Sequence, residues 1–568
     1  MKNLLLSTFI IISLFTQAQL IEWEWTYEPT TESSSRAQNI YSNSSEYIYV
    51  TGYYSDSIIF TFDTTYVITD TVIIGVDTTY YTSDTTIILT EVETAVGLGL
   101  YVAKFDTLGN FYWAKNIRKS STPEICADYN NNVYITGKTN DSVFFENDTL
   151  IGIKSYVAKI DENGNYVWKQ GIYSTGYIKP MSINADTNNF IYIAGNFEKN
   201  LDIDTVSIDT VDAYYPMRLF ILKLNSDGAC LKYNSALLDT EGMYDITSMS
   251  TSQTGSCYIS GTSNIQNVDF GNGILSNNPG FMEYPFIVKY NSNLDAQWVK
   301  EFSFAVGFGQ SGNVDVTDNY LYSTGMFVGD INIDTFSVTS NVDNSAEVYV
   351  VKIDTLGATQ WLKSFGSSSD GGEQGFSITS NHNQESFFIS MFSDTIVLGI
   401  DTLISEGVPS NFVGDDIFIA KLDSAGEVIW GNRIGLAGDF NFGEIDCTEG
   451  GTLLIAGFSL DNAKSTNIEN SFIGMRNDHP ITTNIETTIL KKDKLIIYPN
   501  PTNNIIYVNY SSNINKIDIY SIDGKLVDSY SNINSKSYTI NFHSKLNGIY
   551  FIRVYSKNAS SVSKIIKH

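Results

Sequence analysis

Histidine, the side chain most often used to move protons near neutral pH, occurs only four times in 568 residues, at His382, His479, His543 and His568. None falls on a core strand of the repeats described below, which argues against a Ser-His-Asp triad or a His-rich metal centre in the large domain. The chain has no HExxH, no GxSxG, no Walker loop and no GxGxxG after a strand. Carboxylates are plentiful, with 63 Asp and Glu, so their number is compatible with a glycosidase-type pair. Most of them recur at one turn position in successive repeats, as at Asp106, Asp161, Asp354 and Asp423, which reads as structural. Two runs, Asp128-x-Asn130-x-Asn132 and Asp161-x-Asn163-x-Asn165, place oxygen ligands at alternate positions as calcium loops do. Both lack the distal Glu of a full loop, and Asx-rich turns produce the same spacing. Calcium is therefore the one cofactor the sequence suggests; no other metal or organic cofactor is expected.

Unrepeated connections are the better place for a ligand. GIYSTGYIKP (171–180), FSFAVGFGQSG (302–312), FGSSSDGGEQG (365–375) and IGLAGDFNFGE (434–444) are rich in Gly and aromatics. Aromatic faces with polar neighbours suit stacking on sugars or gripping a peptide, so Tyr173, Tyr177, Phe308, Asp370, Asp439 and Phe440 are the expected ligand contacts. The competing reading makes the glycines packing devices and the aromatics inter-repeat core. A catalytic mouth would instead need carboxylate, Tyr and Arg side chains to converge, and Arg218, Arg433, Tyr177 and Asp439 are its candidates by position.

These loops are set by a repeat. One phrase recurs six times, from YVAKFDTLGNFYWAK at Tyr101, through Tyr156, Phe220, Phe286 and Tyr349, to FIAKLDSAGEVIWGN at Phe418, with a degenerate FIGMRN at Phe472. It reads as a hairpin: an apolar strand with a Lys, an Asp/Asn/Gly turn, then a strand ending on Trp113, Trp168, Trp298, Trp361 or Trp430. In the third copy Tyr233 is expected to replace the Trp. A second phrase ends at Gly52, Gly137, Gly195, Gly261, Gly325, Met391 and Gly457, in steps of 58 to 66 residues after a longer first step. The excess in that first step, 60–96, is Thr/Asp/Val-rich and reads as an inserted hairpin arm. Each unit thus has about four strands, and seven units predict an all-β, seven-bladed β-propeller. The last copy lacks a Trp strand, while LIEWEWTY near the N-terminus is a Trp strand without a partner, so the N-terminal strand is expected to close the ring and remove free edges. The alternation resembles the β-propeller repeats of many exported bacterial proteins, which implies a fold and no particular activity.

Charge and the chain's two ends bear on location. The net charge is −29, made of −36 over residues 1–490 and +7 over 491–568. So acidic a body repels nucleic-acid phosphates and anionic membranes, and no nucleic-acid partner is expected. Lys2 followed by the apolar run Leu4 to Phe15 and by Thr16-Gln17-Ala18 reads as a signal peptide over 1–18, and no segment suits a transmembrane helix. Of four cysteines, Cys126 and Cys447 read as small buried hydrophobes, while Cys230 and Cys257 could pair after export. The propeller is placed at 19–478, a linker at 479–493 and a small C-terminal β-sandwich at 494–568, with Ile517, Ile519, Ile549, Phe551 and Val554 on alternating strand positions. Pro499-Asn500-Pro501, Asp523-Gly524-Lys525, Gly548-Ile549-Tyr550 and the Lys-rich end 564–568 resemble the type A C-terminal sorting domain of the type IX secretion system of Bacteroidota. That resemblance implies engagement of the secretion machinery, export across the outer membrane, and surface attachment or release. The expectation is a non-enzymatic surface binding or scaffold protein whose loop face takes a glycan or protein ligand. The alternatives are a secreted polysaccharide hydrolase or lyase and a structural surface protein or adhesin.

Overall fold

A computed structural model describes residues 25–567 except 28–29, 32–34, 43–45, 55–56, 62–85, 91–98, 210–216, 239–243, 266–267, 275–281, 342–344, 368–372, 406–415, 435–439, 449–450, 462–467, 477–494, 499–501, 503, 522–525, 544, 547 and 557–559. Strands dominate, and no described helix is long and apolar enough to cross a membrane. The chain forms two compact units, 1–479 and 480–568.

In the first unit the described strands include seven sheets built on four antiparallel strands, one extended to six and one to five by arm strands, beside smaller two- and three-stranded sheets. The first is Ser35–Ser42, Tyr47–Tyr54, Gly99–Asp106 and Phe111–Arg118. The second is Ser121–Ala127, Val133–Lys138, Ser155–Ile160 and Tyr166–Ile172; the third Ile178–Ala185, Ile191–Phe197, Arg218–Leu224 and Cys230–Ser235. The fourth is Tyr244–Thr251, Cys257–Ser263, Tyr284–Tyr290 and Ala296–Glu301; the fifth Gly307–Val316, Tyr320–Ile333, Ala346–Asp354 and Thr359–Phe365. The sixth is Gln374–Ser380, Ser386–Phe392, Asp416–Leu422 and Val428–Ile434. The seventh takes Phe440–Cys447, Leu453–Asp461 and Ile468–Arg476, and its fourth strand is Trp25–Tyr27, with Trp25 opposite Met475 and Tyr27 opposite Ile473. First strands of consecutive sheets are neighbours, and Ser35–Ser42 neighbours both Ser121–Ala127 and Phe440–Cys447. Each first strand carries a bulge at one shared level, as between Ala37 and Asn39 or Phe442 and Glu444, which raises local twist there. Middle strands are near-continuous apolar runs because both faces are covered by neighbouring sheets, and Tyr49, Tyr134, Tyr192, Tyr258 and Tyr322 are buried between them.

One device ties sheet to sheet. Lys104, Lys159, Lys223, Lys289 and Lys352 each stand near the end of a third strand, largely buried or half-buried. Each donates its Nζ to a main-chain carbonyl in the following sheet's turn, of Glu162, Ser226, Ser292, Thr355 and Ser424, at 2.6–3.1 Å. A buried ammonium requires such an acceptor. Opposite four of these lysines stands the repeat Trp, whose Nε1 donates to the same carbonyl at 3.0–3.4 Å. The turn glycine lies against the indole: a Cβ on Gly164, Gly228, Gly357 or Gly426 would come within 3.0–3.4 Å of Trp113, Trp168, Trp298 or Trp361. In the sixth sheet Lys421 is again opposite Trp430, and Arg476 stands 4.3 Å over the Trp430 ring. The third sheet departs from the pattern. Tyr233 does not replace the Trp: Lys232 is opposite Lys223, and Tyr233 is one residue out of register and 42 % exposed. In a strand a one-residue offset puts a side chain on the other face.

Second and third strands are joined by hairpin arms. The described ones include Ser142–Phe145 with Asp148–Ile151, Asn200–Ile203 with Val206–Asp209, the 330–339 hairpin, and Thr395–Leu398 with Asp401–Ile404. Ser57–Thr61 with Thr86–Thr90 belongs to the arm expected near 60–96, so that arm is one of a set. Each reaches back to the preceding sheet's outer edge, at Phe145↔Ile117, Tyr173↔Asp202, Ser303↔Asn332 and Ser367↔Ile396. In an up-and-down sheet these arms share one end with the inter-sheet connections, and the Asx turns occupy the other.

The second unit is one antiparallel sheet with Leu495–Tyr498, Ile505–Ser521, Leu526–Asn541, Gly548–Tyr555 and Ser560–Lys567. Ile506, Val508, Ile517, Ile519, Ile540, Tyr550, Ile552 and Val554 form its core. Ile517, Ile519 and Val554 face inward as expected, whereas Phe551 is 36 % exposed because Tyr550 and Ile552 hold the inner register.

Candidate functional site

Every first strand sends polar residues toward a shared cavity of about 360 Å³ lined by residues of all seven sheets. The first level after the bulge carries Asn39, Glu124, Ser182, Ser248, Asn313, Ser377 and Glu444. Two residues on stand Tyr41, Cys126, Asn184, Ser250, Asp315, Thr379 and Asp446. Four half-buried carboxylates, Glu124, Asp315, Glu444 and Asp446, thus line one cavity. Asn39 Nδ2 donates to Glu124 Oε2 at 3.0 Å, and Asn313 Nδ2 reaches from the fifth sheet to Glu444 Oε1 in the seventh at 3.3 Å. Asp446 accepts from Ser42 N at 2.6 Å and Cys447 N at 2.8 Å, while Asp315 accepts from Ser380 N at 2.7 Å and its Oγ at 2.6 Å.

Burial, with repulsion from Asp446 and Asp315, pushes the Glu444 carboxyl up to about 8. Burial and Asp315 push Asp446 up to about 7. Glu124 is raised by burial and by Glu444, with Lys179 opposing. These proton affinities are what a general acid uses. Among the described residues, no three His, Cys, Asp or Glu are placed to hold a metal ion. A smaller cavity of about 190 Å³ adjoins, where His382 Nδ1 lies 3.6 Å from Asp318 Oδ2. The hydroxyl of Ser380 is committed to Asp315.

The calcium candidates Asp128-Asn130-Asn132 and Asp161-Asn163-Asn165 make Asx-turn hydrogen bonds. Asp128 Oδ1 accepts from Asn130 N, Asn132 N and Asn132 Nδ2, and Oδ2 accepts from Tyr134 OH at 3.0 Å. Asp161 accepts from Asn163 N, Asn165 N and Asn165 Nδ2. Donors aimed at these oxygens occupy the lone pairs a cation would need. Cys230 and Cys257 are free thiols on different sheets.

On the arm-bearing end, Tyr173 is 45 % exposed and Phe308 36 %, the latter inside the strand Gly307–Val316 instead of a loop. Tyr177 is half-buried, with Lys138 Nζ 4.0 Å over its ring. Tyr173 and Tyr177 share the connection between sheets two and three, whereas Phe308 opens sheet five, so the structure does not unite the three. Asp370 and Asp439 lie outside the described residues; for Phe440 only the backbone is described, paired with Ser459. The catalytic candidates are scattered: Arg218 is buried on sheet three, while Arg433 on sheet six is tied to Asp416 at 3.3 Å. In the second unit Tyr550 is buried and donates to Leu546 O at 2.8 Å, and Gly548 opens its strand. Pro499, Asn500, Pro501, Asp523, Gly524 and Lys525 lie outside the described residues.

The cavity carboxylates Glu124, Asp315, Glu444 and Asp446 were not singled out by sequence. Their signal is a fixed offset: Asn39, Glu124, Ser182, Ser248 and Glu444 each stand thirteen residues before a repeat glycine.

Comparison with known proteins assigns the C-terminal unit. Residues 496–568 match the family described as secretion system C-terminal sorting domain. Export by type IX secretion to the cell surface or extracellular space follows from that domain. A curated relative, an uncharacterized WD repeat-containing protein of Acanthamoeba polyphaga mimivirus, is 27 % identical over 124 residues, covering 18 % of this chain and 9 % of its own length. The chain therefore spans less than a tenth of that relative. Among solved structures, a DUF4221-family member from Bacteroides vulgatus is similar at TM-score 0.32 and 9 % identity, over 63 % of this chain and 92 % of that one. A polysaccharide lyase described as an ulvan lyase bound to its saccharide is similar at TM-score 0.36 and 8 % identity, over 67 % and 91 %. Likenesses this distant carry no argument about activity.

Proposed function

We propose that residues 19–478 form a seven-bladed β-propeller closed by the N-terminal strand, and that it works at the cell surface as a non-catalytic binding scaffold. The observation that carries this reading is the division of labour between its two ends. At the Asx-turn end, successive sheets repeat the same Lys and Trp latch onto the next turn. At the other end, arms and connections differ in length and sequence from sheet to sheet. A scaffold that holds one end constant and varies the other presents a recognition face. The −36 charge of residues 1–490 keeps that body soluble and away from nucleic acid.

The half-buried cavity carboxylates favour one rival, a polysaccharide hydrolase or lyase acting through Glu444 or Asp446. The test is a polysaccharide pull-down with the full chain, in which each binding well is also assayed for new reducing ends. Retention of a polysaccharide with its chain length unchanged is the expected result. Shortened products that vanish in Glu444→Gln would replace the binding reading with the hydrolytic one.

A further inference from the structure

Nine lysines of the acidic first unit have a repeat-set duty. The latch lysines serve carbonyls, and outer-strand lysines pair with carboxylates: Lys115 with Glu146, Lys169 with Asp148, Lys300 with Asp334 and Lys363 with Glu427. Lys138, Lys154 and Lys179 stand at no such position. They gather at the arm-bearing end of sheets two and three, where a cavity of about 250 Å³ is lined by Lys138, Thr139, Asn140, Lys154, Gly176, Tyr177 and Ile178.

Lys154 Nζ spends one donor on Asn140 O at 2.8 Å, and Lys138 sits over the Tyr177 ring. Among the described residues neither has a carboxylate within ion-pairing distance. Burial and the charge of Lys179 both lower the proton affinity of Lys138, so the cation is held where its charge is uncompensated. Lys179 faces Glu124 and Asp245 at longer range, where burial raises both carboxyls and Lys179 only opposes that rise, without satisfying Lys138. In a chain of net charge −29, an uncompensated cationic cavity is a place for an external anion.

We infer that the cavity between Lys138, Lys154 and Tyr177 binds the carboxylate or sulfate group of an acidic saccharide. The two ammonium groups supply charge-assisted donors to the oxyanion. Tyr177 lines the cavity and Tyr173, four residues before it, is exposed, so the two offer apolar surface to a pyranose ring. The size suits one sugar residue, so recognition is of single acidic units along a polymer. This inference rests on the binding reading proposed above and names its ligand class.

The test measures binding of the full chain to polygalacturonate (carboxylated), dextran sulfate (sulfated), neutral dextran and poly-Glu peptide. Acidic polysaccharide binding that weakens with salt, and weakens about tenfold or more in Lys138→Ala/Lys154→Ala, is expected, since losing one charge-assisted contact corresponds to roughly that factor. Preference between the first two probes tells carboxylate from sulfate. Lys363→Ala, at the opposite end, is the control and leaves affinity unchanged. Unchanged affinity in the double variant, or equal binding of poly-Glu, overturns the inference. Binding of neutral dextran alone overturns the inference and leaves the binding reading standing; binding of none of the probes overturns both.

Discussion

Replacing Trp361 by alanine lowers stability by about 3–5 kcal/mol, the range for truncating a buried tryptophan. Its indole is 8 % exposed, lies beside Tyr322 with ring centroids 6.2 Å apart, and donates to Ser424 O at 3.1 Å. The change removes packing between sheets five and six and leaves Lys352 to hold Ser424 O alone. Trp361→Phe keeps most of the apolar contact and loses only the donor, so its cost is about 1 kcal/mol. Gly426→Ala tests the same joint from the other side. Gly426 has φ +79°, and a Cβ there would come within 3.0 Å of Trp361, so a cost of about 1–2 kcal/mol is expected. Urea unfolding followed by tryptophan fluorescence measures all three. A Trp361→Ala protein within about 1 kcal/mol of the wild type would show that the latch does not hold the sheets together.

The second large effect is on pH dependence. Glu444 and Asp446 titrate near 8 and near 7 in the folded protein, against 4.5 and 3.8 for the free groups. The folded state therefore keeps protons that the unfolded chain releases above about pH 4. Their contribution is fully present below that range and is lost as pH rises through about 8. Raising pH from 5.5 to 8.5 should cost on the order of a few kcal/mol. The groups that set this response surround them: Asp315 and Asp446 against Glu444, Glu124 beyond, and the donors Asn313, Ser42 N, Cys447 N and Thr379. Outer carboxylates such as Asp161, Asp295 and Asp334 are shifted down and act below this window. Glu444→Gln, which keeps the shape and removes the charge, should raise the melting temperature at pH 8.5 and flatten the slope between 5.5 and 8.5. A melting temperature that climbs over this range, or a variant with an unaltered slope, would contradict the assignment of the effect to the cavity.

How far the sequence discloses this arrangement depends on repetition. Lys104 and Trp113 stand nine residues apart, as do Lys159 and Trp168, Lys289 and Trp298, Lys352 and Trp361, and each pair is opposed across its hairpin. The same count from Lys223 reaches Lys232, so choosing Tyr233 for its aromatic ring ignored a spacing already visible. The arms were also legible, since Asp148-Thr149-Leu150, Asp204-Thr205-Val206, Asp334-Thr335-Phe336 and Asp401-Thr402-Leu403 repeat an Asp-Thr-apolar step. Only the longest arm disturbs the repeat length. The cavity carboxylates are hard to read for a different reason: Glu124 and Glu444 share their level with Ser182, Ser248 and Ser377, and polarity at a position is less visible than an aromatic. At the calcium candidates the oxygens that the spacing presents accept from donors two and four residues on, such as Asn130 N and Asn132 N, which is the Asx-turn arrangement. Lys138 has no basic counterpart in other repeats and Lys154 shares its place only with Arg218, so their role emerges only once the fold brings them to one cavity beside Tyr177.

Hydrogen–deuterium exchange of the full chain with and without polygalacturonate tests the account most directly, with the polymer's length checked in the same samples. Protection confined to 138–154 and 173–178 with the polymer intact is the predicted result. Protection at the Asx turns near 161–165 and 423–427, or around Glu444 with the polymer shortened, would contradict it.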